Sequence, residues 1–427
     1  MANLGSTAPD VVVIGGGIAG IATSLQLQRT GRRVMILERA TPGNEASGHN
    51  GGMFSGDVVP VGVPEVIKEL PHLLFGADAT LSIKGRYLPR LAPWLLRFAW
   101  CCRSSQVERI STALASITIP GLDAYRPLVA GTGAEEVFGN RGCLFCYIRG
   151  ASLDPNGYSL QLRKRRGMAY ELLDRQGLRR VSPNLDDRFE AGLFFPDSFY
   201  TRDPRAFTRT LLADFLAKGG SIEQAEVTSF ETTARRVTNV RTRAGQVRAG
   251  EVVLAAGPWS RGLLRQLGTR VPLEAERGYG VDIPDPRVEI DLPIVIGDNH
   301  TALTPFRTGV RITTIDELAS VDAPVDQNLI DQTVRRLKDI YPTINMDGAT
   351  SWMRSRPSLP DSLPVIGRAP KFDNVFLNFG HGHKGLGIGA FTGKLVTELM
   401  TGTPPSVDLH PFRPTRFAFG EKGTSAK

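Results

Sequence analysis

Three glycines near the start of the chain, Gly15, Gly17 and Gly20, have G-x-G-x-x-G spacing. Such a turn brings backbone amides up to a pyrophosphate. Gly15 permits the tight bend, Gly17 the close approach of the phosphate and Gly20 the packing of helix on sheet. Ile18 and Ala19 lie where a helix would begin, and its free N–H groups and positive dipole end attract a diphosphate. Glu38, followed by Arg39, stands 18 residues after Gly20, where an acid can accept hydrogen bonds from ribose hydroxyls. The chemistry this set points to is dinucleotide binding; the alternative is a glycine-rich turn in another α/β fold.

Other reactive side chains give weaker patterns. Cys143-x-x-Cys146 lies in the apolar run GCLFCYI with no second pair and no histidines at ligand spacing, so buried thiols are expected rather than a metal or redox pair. Cys101 and Cys102 complete the four cysteines. His381 and His383 are too few for a metal site and have no acid at ligand spacing; no metal is expected, and the pair is read as shaping a pocket. The run Arg163–Lys164–Arg165–Arg166 is read as a solvated helix face, with attraction to an anionic membrane as the alternative.

The elements that must position these groups follow from periodicity. Asp10–Ile14 is a short β-branched strand, Ile21, Leu25 and Leu27 cover a sheet from a helix, and Val34–Leu37 is a second strand. Thr41–Phe54 reads as a loop of small residues. Residues 64–131 have a helical pattern broken by prolines. Within them Leu91–Cys102 is apolar enough for either a buried helix or an interfacial patch, but too short to span a bilayer. A strand is expected at 140–149, a helix at 158–177, and an amphipathic helix at Arg202–Lys218 opened by Asp203-Pro204. Ser221–Thr228 should be a strand, and Val237–Thr242 with Gln246–Leu254 a hairpin region. Glu251–Gly257 reads as a central strand returning to the nucleotide. Residues 271–320 suit a separate antiparallel sheet, Asp326–Ile340 a helix, and Trp352–Thr401 a return to glycine-rich turns and a closing helix.

Composition bounds the rest. The 427 residues suffice for two or three domains, and 41% apolar with 22% charged residues is ordinary for a globular protein. No stretch of 18 apolar residues occurs, and MANLGSTAPD has the features of neither a signal nor an anchor. A cytoplasmic protein is expected, with peripheral contact to the inner face of the membrane as an alternative. The net charge of +8 is spread along the chain without a nucleic-acid motif, so nucleic-acid binding is set aside.

Three segments carry a wider resemblance: VVVIGGGIAGIATSLQLQRTGRRVMILER, EVVLAAGPWS and RPSLPDSLPVIGRAPKFDNVFLNFGHGHKGLGIGAFTGKLVTELM. Together they resemble the FAD-dependent D-amino-acid oxidase superfamily, nearest its bacterial D-amino-acid dehydrogenase branch. The resemblance implies a mixed α/β (α+β) fold. A Rossmann-like FAD domain (1–56, 201–260 and 355–427) would interleave with a substrate domain on a large antiparallel sheet (57–200 and 261–354).

It also implies roles. Gly15, Gly17, Gly20 and Glu38 would serve the ADP half of FAD. Ala46, Ser47, Asn50, Gly51 and Gly52 would run past the pyrophosphate and flavin. Val227 would touch the adenine end, while Ala256 and Gly257 would approach the ribityl chain. Residues 381–389, with Gly385, Leu386, Gly387 and Ile388 among them, would wrap the isoalloxazine. Arg356 stands where the family commonly binds the substrate carboxylate, and Arg354 is on the same face if the segment is extended. His383 would adjoin the ring. Lys384 would sit near flavin N1 or face solvent, and Tyr279 and His300 would line the pocket or pack in the sheet. His49 lies where some relatives attach flavin covalently, though the match is loose.

The implied reaction is oxidative deamination of a small amino acid, most simply a D-amino acid. Hydride passes from the α-carbon to flavin N5 and electrons pass on to a quinone or other carrier. The competing expectations are an oxygen-using oxidase of secondary amines, of the sarcosine, glycine, proline or opine type, and a non-catalytic flavin subunit. Oligomeric state is not legible.

Overall fold

The structure is a computed structural model that describes residues 8–54, 56–75, 81–138 and 140–418. Strand Val11–Ile14 is buried at every position, as a β-branched run flanked by parallel neighbours should be. It pairs in parallel with Val34–Glu38 on one side and Glu251–Leu254 on the other. Ser221–Gln224 extends the sheet past Val34–Glu38, and Val375–Phe379 extends it past Glu251–Leu254, both in parallel. Val365–Arg368 closes that edge antiparallel, giving a six-stranded sheet among the described residues.

Helices Ile18–Gln28 and Gly385–Thr401 cross one face of this sheet back to back. Their backbones approach closely because Gly393 has no side chain: a Cβ there would lie 2.9 Å from the amide nitrogen of Thr23. Asn378 Nδ2 donates to Thr23 Oγ1 at 2.9 Å and ties the distant strand to the same helix. Helix Pro204–Ala217 begins as expected, with Asp203 accepting from the Ala206 amide. On the other face lies an antiparallel three-stranded sheet of Val227–Thr233, Arg236–Thr242 and Gln246–Arg248. The strand expected at 221–228 is therefore split between two sheets.

Among the described residues a second, ten-stranded sheet runs in the order Thr350–Ser358, Glu274–Ile283, Gly309–Leu318, Thr301–Phe306, Ile294–Ile296, Asn140–Tyr147, Ala191–Tyr200 and Met53–Phe54. Leu81–Ile83 and Glu171–Asp174 pair alongside. It is antiparallel except where Ile294–Ile296 meets Asn140–Tyr147 and where Gly309–Leu318 meets Leu81–Ile83. One face is covered by helix Gln327–Ile340, whose Leu329, Ile330, Leu337 and Ile340 join the core beneath it. The expected boundary at 354/355 falls inside the continuous strand Thr350–Ser358.

The helix expected at 158–177 is instead a short helix Tyr158–Arg165, the strand Glu171–Asp174 and the start of helix Arg175–Val181. Gly167, at a positive φ of 71°, turns the chain between the first two. The basic run is not a free patch. Arg163 turns inward to Asp57, while Arg165 and Arg166 pair with Glu108. Helix Leu88–Cys101 divides its apolar residues, burying Leu91 and Trp94 and exposing Leu96 and Trp100. Among the described residues no helix is long and apolar enough to cross a membrane.

Candidate active site

One cavity of about 1540 Å³ runs from the glycine turn to the large sheet. Small-molecule sites usually hold about 300–1,000 Å³, so this space fits a dinucleotide with a substrate beside it. At one end the turn is built as its spacing demands. Gly15 has a φ of 113°, and a Cβ on it would strike the Ala255 carbonyl at 2.4 Å; a Cβ on Gly20 would strike the Gly15 carbonyl at 1.9 Å. Gly17 opens onto the cavity, where an added Cβ would meet only Ser47 Oγ, at 3.2 Å. Ser47 Oγ also accepts from the Ile18 amide at 2.9 Å, which marks the helix N-terminus as a point where an oxygen ligand is held.

Glu38 ends its strand with Oε2 accepting from the Gly16 amide at 2.6 Å and Oε1 from the Ala40 amide at 3.0 Å. Arg39 lies 3.4 Å over the ring of Trp259, so an arginine–indole stack forms one wall. Trp259 carried no sequence signal beyond its place in the PWS turn. Val227, Ala256 and Gly257 line the same end, and Ile18 and Ala19 line its floor.

The loop of small residues lies alongside. Ala46, Ser47, Asn50 and Gly51 face the cavity. The Asn50 amide donates to the carbonyls of Ala46 and Ser47 and accepts from the Gly52 amide at 2.7 Å, so it sets the loop's shape. Two residues missed in the sequence hold the loop from the sheet. Arg311 donates to the carbonyls of Gly48 and Asn50 at 3.1 and 3.0 Å, and Asp282 grips its other guanidinium edge at 2.6 and 2.9 Å. No spacing could have joined them, because they meet across neighbouring strands.

Several expected cofactor residues lie outside the cavity wall. Gly20 is buried in the first helix, as its packing role requires. Gly52 is a turn at φ 68° packed under Thr201 and Phe306. Gly387 and Ile388 point into the interior on the closing helix, where Gly387 presses against Gly121 and Ile388 joins the main core. Only the first turn of that helix, Gly385 and Leu386, reaches the cavity.

The histidines divide. His381 is buried with Nε2 against Thr392 Oγ1 at 3.0 Å, and burial lowers its pKa to about 4. His49 has Nδ1 on the Asn44 carbonyl at 2.8 Å and Nε2 against Arg205. Burial, with Arg354, Arg205 and Arg311 nearby, lowers it to about 4 as well. Both its nitrogens are engaged, by the Asn44 carbonyl and Arg205. Lys384 turns into the cavity rather than to bulk solvent; burial lowers its pKa while Asp57 opposes the shift. Asp57 itself is disfavoured as an anion by burial, but Arg163 and Lys384 outweigh this and hold it at about 2. His300 lines the cavity at a positive φ of 53°.

At the far end, strand alternation decides which side chains arrive. Arg354 and Arg356, two apart on Thr350–Ser358, both face the cavity. Opposite them Glu276 pairs in register with Arg356, and Gly278 with Arg354. Tyr279, one residue on, therefore faces away from the cavity. It is wholly buried against the helix-covered core, its hydroxyl donating to Glu317 at 2.7 Å and accepting from the Asp326 amide. The expectation that Tyr279 acts in the pocket fails on this one-residue parity.

Arg356 meets two acids that the sequence reading missed. Its Nη1 contacts Glu276 at 3.2 Å and also Asp316, while His383 Nε2 contacts Glu276 from the other side. The candidate ligand atoms of Glu276, Asp316 and His383 lie within 4.8 Å of one another, and the guanidinium of Arg356 supplies the positive charge against both acids. Both Arg356 contacts use Nη1; among the described residues Nε and Nη2 have no hydrogen-bond partner. Burial disfavours ionised Glu276, but His383 and Arg356 outweigh it and hold its pKa well below the carboxylate range. For Asp316, burial and the repulsion of Glu276 win over Arg356 and raise it. Arg354 is tied to the Asn44 carbonyl at 3.1 Å and lies 3.6 Å from Glu45.

A nucleotide-binding turn, an amide-lined helix end and a half-buried arginine on a sheet thus share one cavity. The profile of the family described as FAD dependent oxidoreductase matches residues 10–399. The chain belongs to this family. Its cofactor is FAD, and the glycine turn, the Gly17 opening and the size of the cavity fit that group. This flavoenzyme is 30% identical over 417 residues to a D-amino-acid oxidase of Bradyrhizobium diazoefficiens, covering 95% of this chain and 98% of the relative. It is 29% identical over 417 residues to a D-amino acid dehydrogenase of Methylobacterium, covering 95% and 99%. Its fold is similar to that of the L-proline dehydrogenase of P. horikoshii, at TM-score 0.74 and 18% identity over 97% of this chain and 98% of that one. The glycine oxidase of Geobacillus kaustophilus gives TM-score 0.71 at 20% identity over 96% and 99%.

Proposed function

We propose that this flavoenzyme oxidises a small D-amino acid to the imino acid, which water converts to a 2-oxo acid and ammonia, and that it passes the electrons to a quinone or similar carrier. The observation that carries the reading is Arg356. Its guanidinium lines the cavity, with Nη1 held by Glu276 and Asp316 and with Nε and Nη2 left without a hydrogen-bond partner among the described residues. A planar fork held in this way suits a carboxylate and fixes its orientation. FAD when bound supplies the hydride acceptor, so the chain's own task is to bind, orient and shield.

The glycine turn and Glu38 would hold the ADP half, and the loop Ala46–Gly51 the region between ADP and ring. The N-terminus of helix Gly385–Thr401 would favour negative charge beside it by about 0.3–1 kcal/mol. Leu359 and Phe379 contribute apolar wall to the cavity. At the mouth, Val61, Ile67, Leu88 and Leu96 line the cavity while also being exposed. Such an apolar entrance supports an apolar carrier as acceptor.

The test is anaerobic mixing of the FAD-loaded enzyme with a panel of D- and L-amino acids and secondary amines, read by flavin bleaching, with peroxide measured in air. Bleaching by D-amino acids with little peroxide is expected. Bleaching by secondary amines alone, or by nothing, refutes the substrate; rapid peroxide release refutes the acceptor.

A further inference from the structure

The two acids beside Arg356 are not equivalent. Glu276 is 7% exposed and fully engaged by Arg356, His383 and Ser358. Asp316 is 31% exposed, opens onto the cavity, and has a single side-chain partner among the described residues, Arg356. An acid touching a carboxylate-binding arginine would repel the carboxylate unless a positive charge lay between them. An α-amino acid brings such a charge: its ammonium is always one carbon from its carboxylate. A cation at the end of a long side chain would fall well beyond an acid in direct contact with Arg356.

Resting on the reading that Arg356 binds the substrate carboxylate, we propose that Asp316 receives the α-ammonium and takes its proton. The step is R–NH3⁺ with Asp316–COO⁻ giving R–NH2 with Asp316–COOH. One N–H bond breaks, one O–H bond forms, and no electrons are exchanged. The neutral amine so formed has the lone pair that α-hydride loss requires, whereas the zwitterion that dominates near neutral pH does not. Asp316 is thus a catalytic residue that the sequence motifs do not mark. The charged and titratable groups facing it are Arg356 from Thr350–Ser358, Glu276 from Glu274–Ile283, His383 from the turn before the closing helix, and His300 from the turn before Thr301–Phe306.

Asp316→Asn tests this, because its carbonyl can still accept from Arg356. The kcat/KM of the fastest amino acid in the panel is measured against pH on the FAD-loaded enzyme. In the wild type the acid limb should follow a carboxyl. In the variant it should move up to the amine's own ionisation, near pH 8 or above, with a loss of about tenfold or more at pH 7 that closes at high pH. In parallel, propanoate, a carboxylate without an amine, is titrated and read by its perturbation of the flavin spectrum. Asp316→Asn should bind it as well as or better than wild type, while Arg356→Ala should lose it.

Superimposable pH profiles overturn the proposal. So does loss of propanoate binding in Asp316→Asn, which would make the acid a mere support for Arg356. A defect confined to substrates with basic side chains also overturns it. Propanoate binding that survives Arg356→Ala refutes the carboxylate reading itself, and the proposal with it.

Discussion

Gly278 lies under the guanidinium of Arg356, and replacing it with alanine tests how closely that group's position governs the reaction. A Cβ at 278 would stand 2.5 Å from Nη2 and 2.7 Å from Cζ of Arg356, where ordinary contact begins near 3.4 Å, so the guanidinium must retreat by about 0.9 Å. The obstacle is the mobile end of a side chain, not backbone, and alanine is no worse than glycine inside a strand. The fold and the distant FAD cradle should therefore survive. The geometry at Arg356 should not, because Nη1 is already committed to Glu276 and Asp316. Misplacing a positioning group by about 1 Å can lower rate by about 10²-fold. Gly278→Ala is accordingly expected to keep full flavin content and a Tm within a few degrees of wild type, while kcat/KM falls by about 10–100-fold and propanoate binds more weakly. Stopped-flow bleaching under anaerobic conditions, with the propanoate titration, measures both. Unchanged reduction rate together with unchanged propanoate affinity would refute the claim that this guanidinium holds the substrate.

Gly17→Val should yield protein without flavin, since the added side chain enters the cavity beside Ser47 where the pyrophosphate would lie; a variant purified with full yellow absorbance refutes that placement. Stability should fall on acidification, because His381 and His49 ionise near 4 in the fold and near 6.5 when unfolded. Between those values the unfolded chain binds more protons, so stability present at neutral pH is lost as pH falls from about 6.5 to about 4, on the order of 3 kcal/mol for buried His381. Thermal melts across that window should show a steep decline that His381→Gln makes shallower, and parallel curves for the two proteins would refute neutral burial of this histidine.

What could be read from the sequence was local. The glycine turn, the strand after it and the acid at its end are specified within a few dozen consecutive residues, with Gly20 answering to the nearby Gly15 carbonyl, although Gly15 itself answers to the distant Ala255 carbonyl. The arginines 354 and 356 were legible as a same-face pair for the same reason: strand alternation needs only two residues. The loop of small residues was legible as a loop, but not what holds it. Arg311 and Asp282 reach it from the large sheet, and their meeting depends on the pairing of Gly309–Leu318 with Glu274–Ile283. Helix 158–177 was misread because three short elements with mixed apolar residues resemble one amphipathic stretch when the turn at Gly167 is given too little weight.

The strand Glu274–Ile283 shows why the acids of the site were harder to find than its arginine. Its even positions Glu276, Gly278, Gly280 and Asp282 share the face that meets the cavity and its flanking groups. Its odd positions Arg277, Tyr279, Val281 and Ile283 enter the core under helix Gln327–Ile340. Charge lies on both faces. Arg277 and Glu317 are an ion pair with no solvent exposure at 2.7 Å, also touched by Tyr279, while Glu276 with Arg356 and Asp316 is its counterpart across the sheet. Glu276 and Arg277, adjacent in sequence, and likewise Asp316 and Glu317, thus belong to separate electrostatic systems. Composition cannot tell them apart, and the motif RGYG presents its tyrosine as the conspicuous residue. Register alone assigns Gly278 to the cavity, Gly280 to the space under Trp352 and the tyrosine to the scaffold. A one-residue slip of this strand would exchange the two systems, putting Arg277 into the cavity and Glu276 into the core. The wholly buried Arg277–Glu317 pair opposes such a slip, since separating it would strand buried charge at a cost of about 3–5 kcal/mol. The scaffold ion pair therefore fixes the register on which the placement of Glu276 and the space above Gly278 depend.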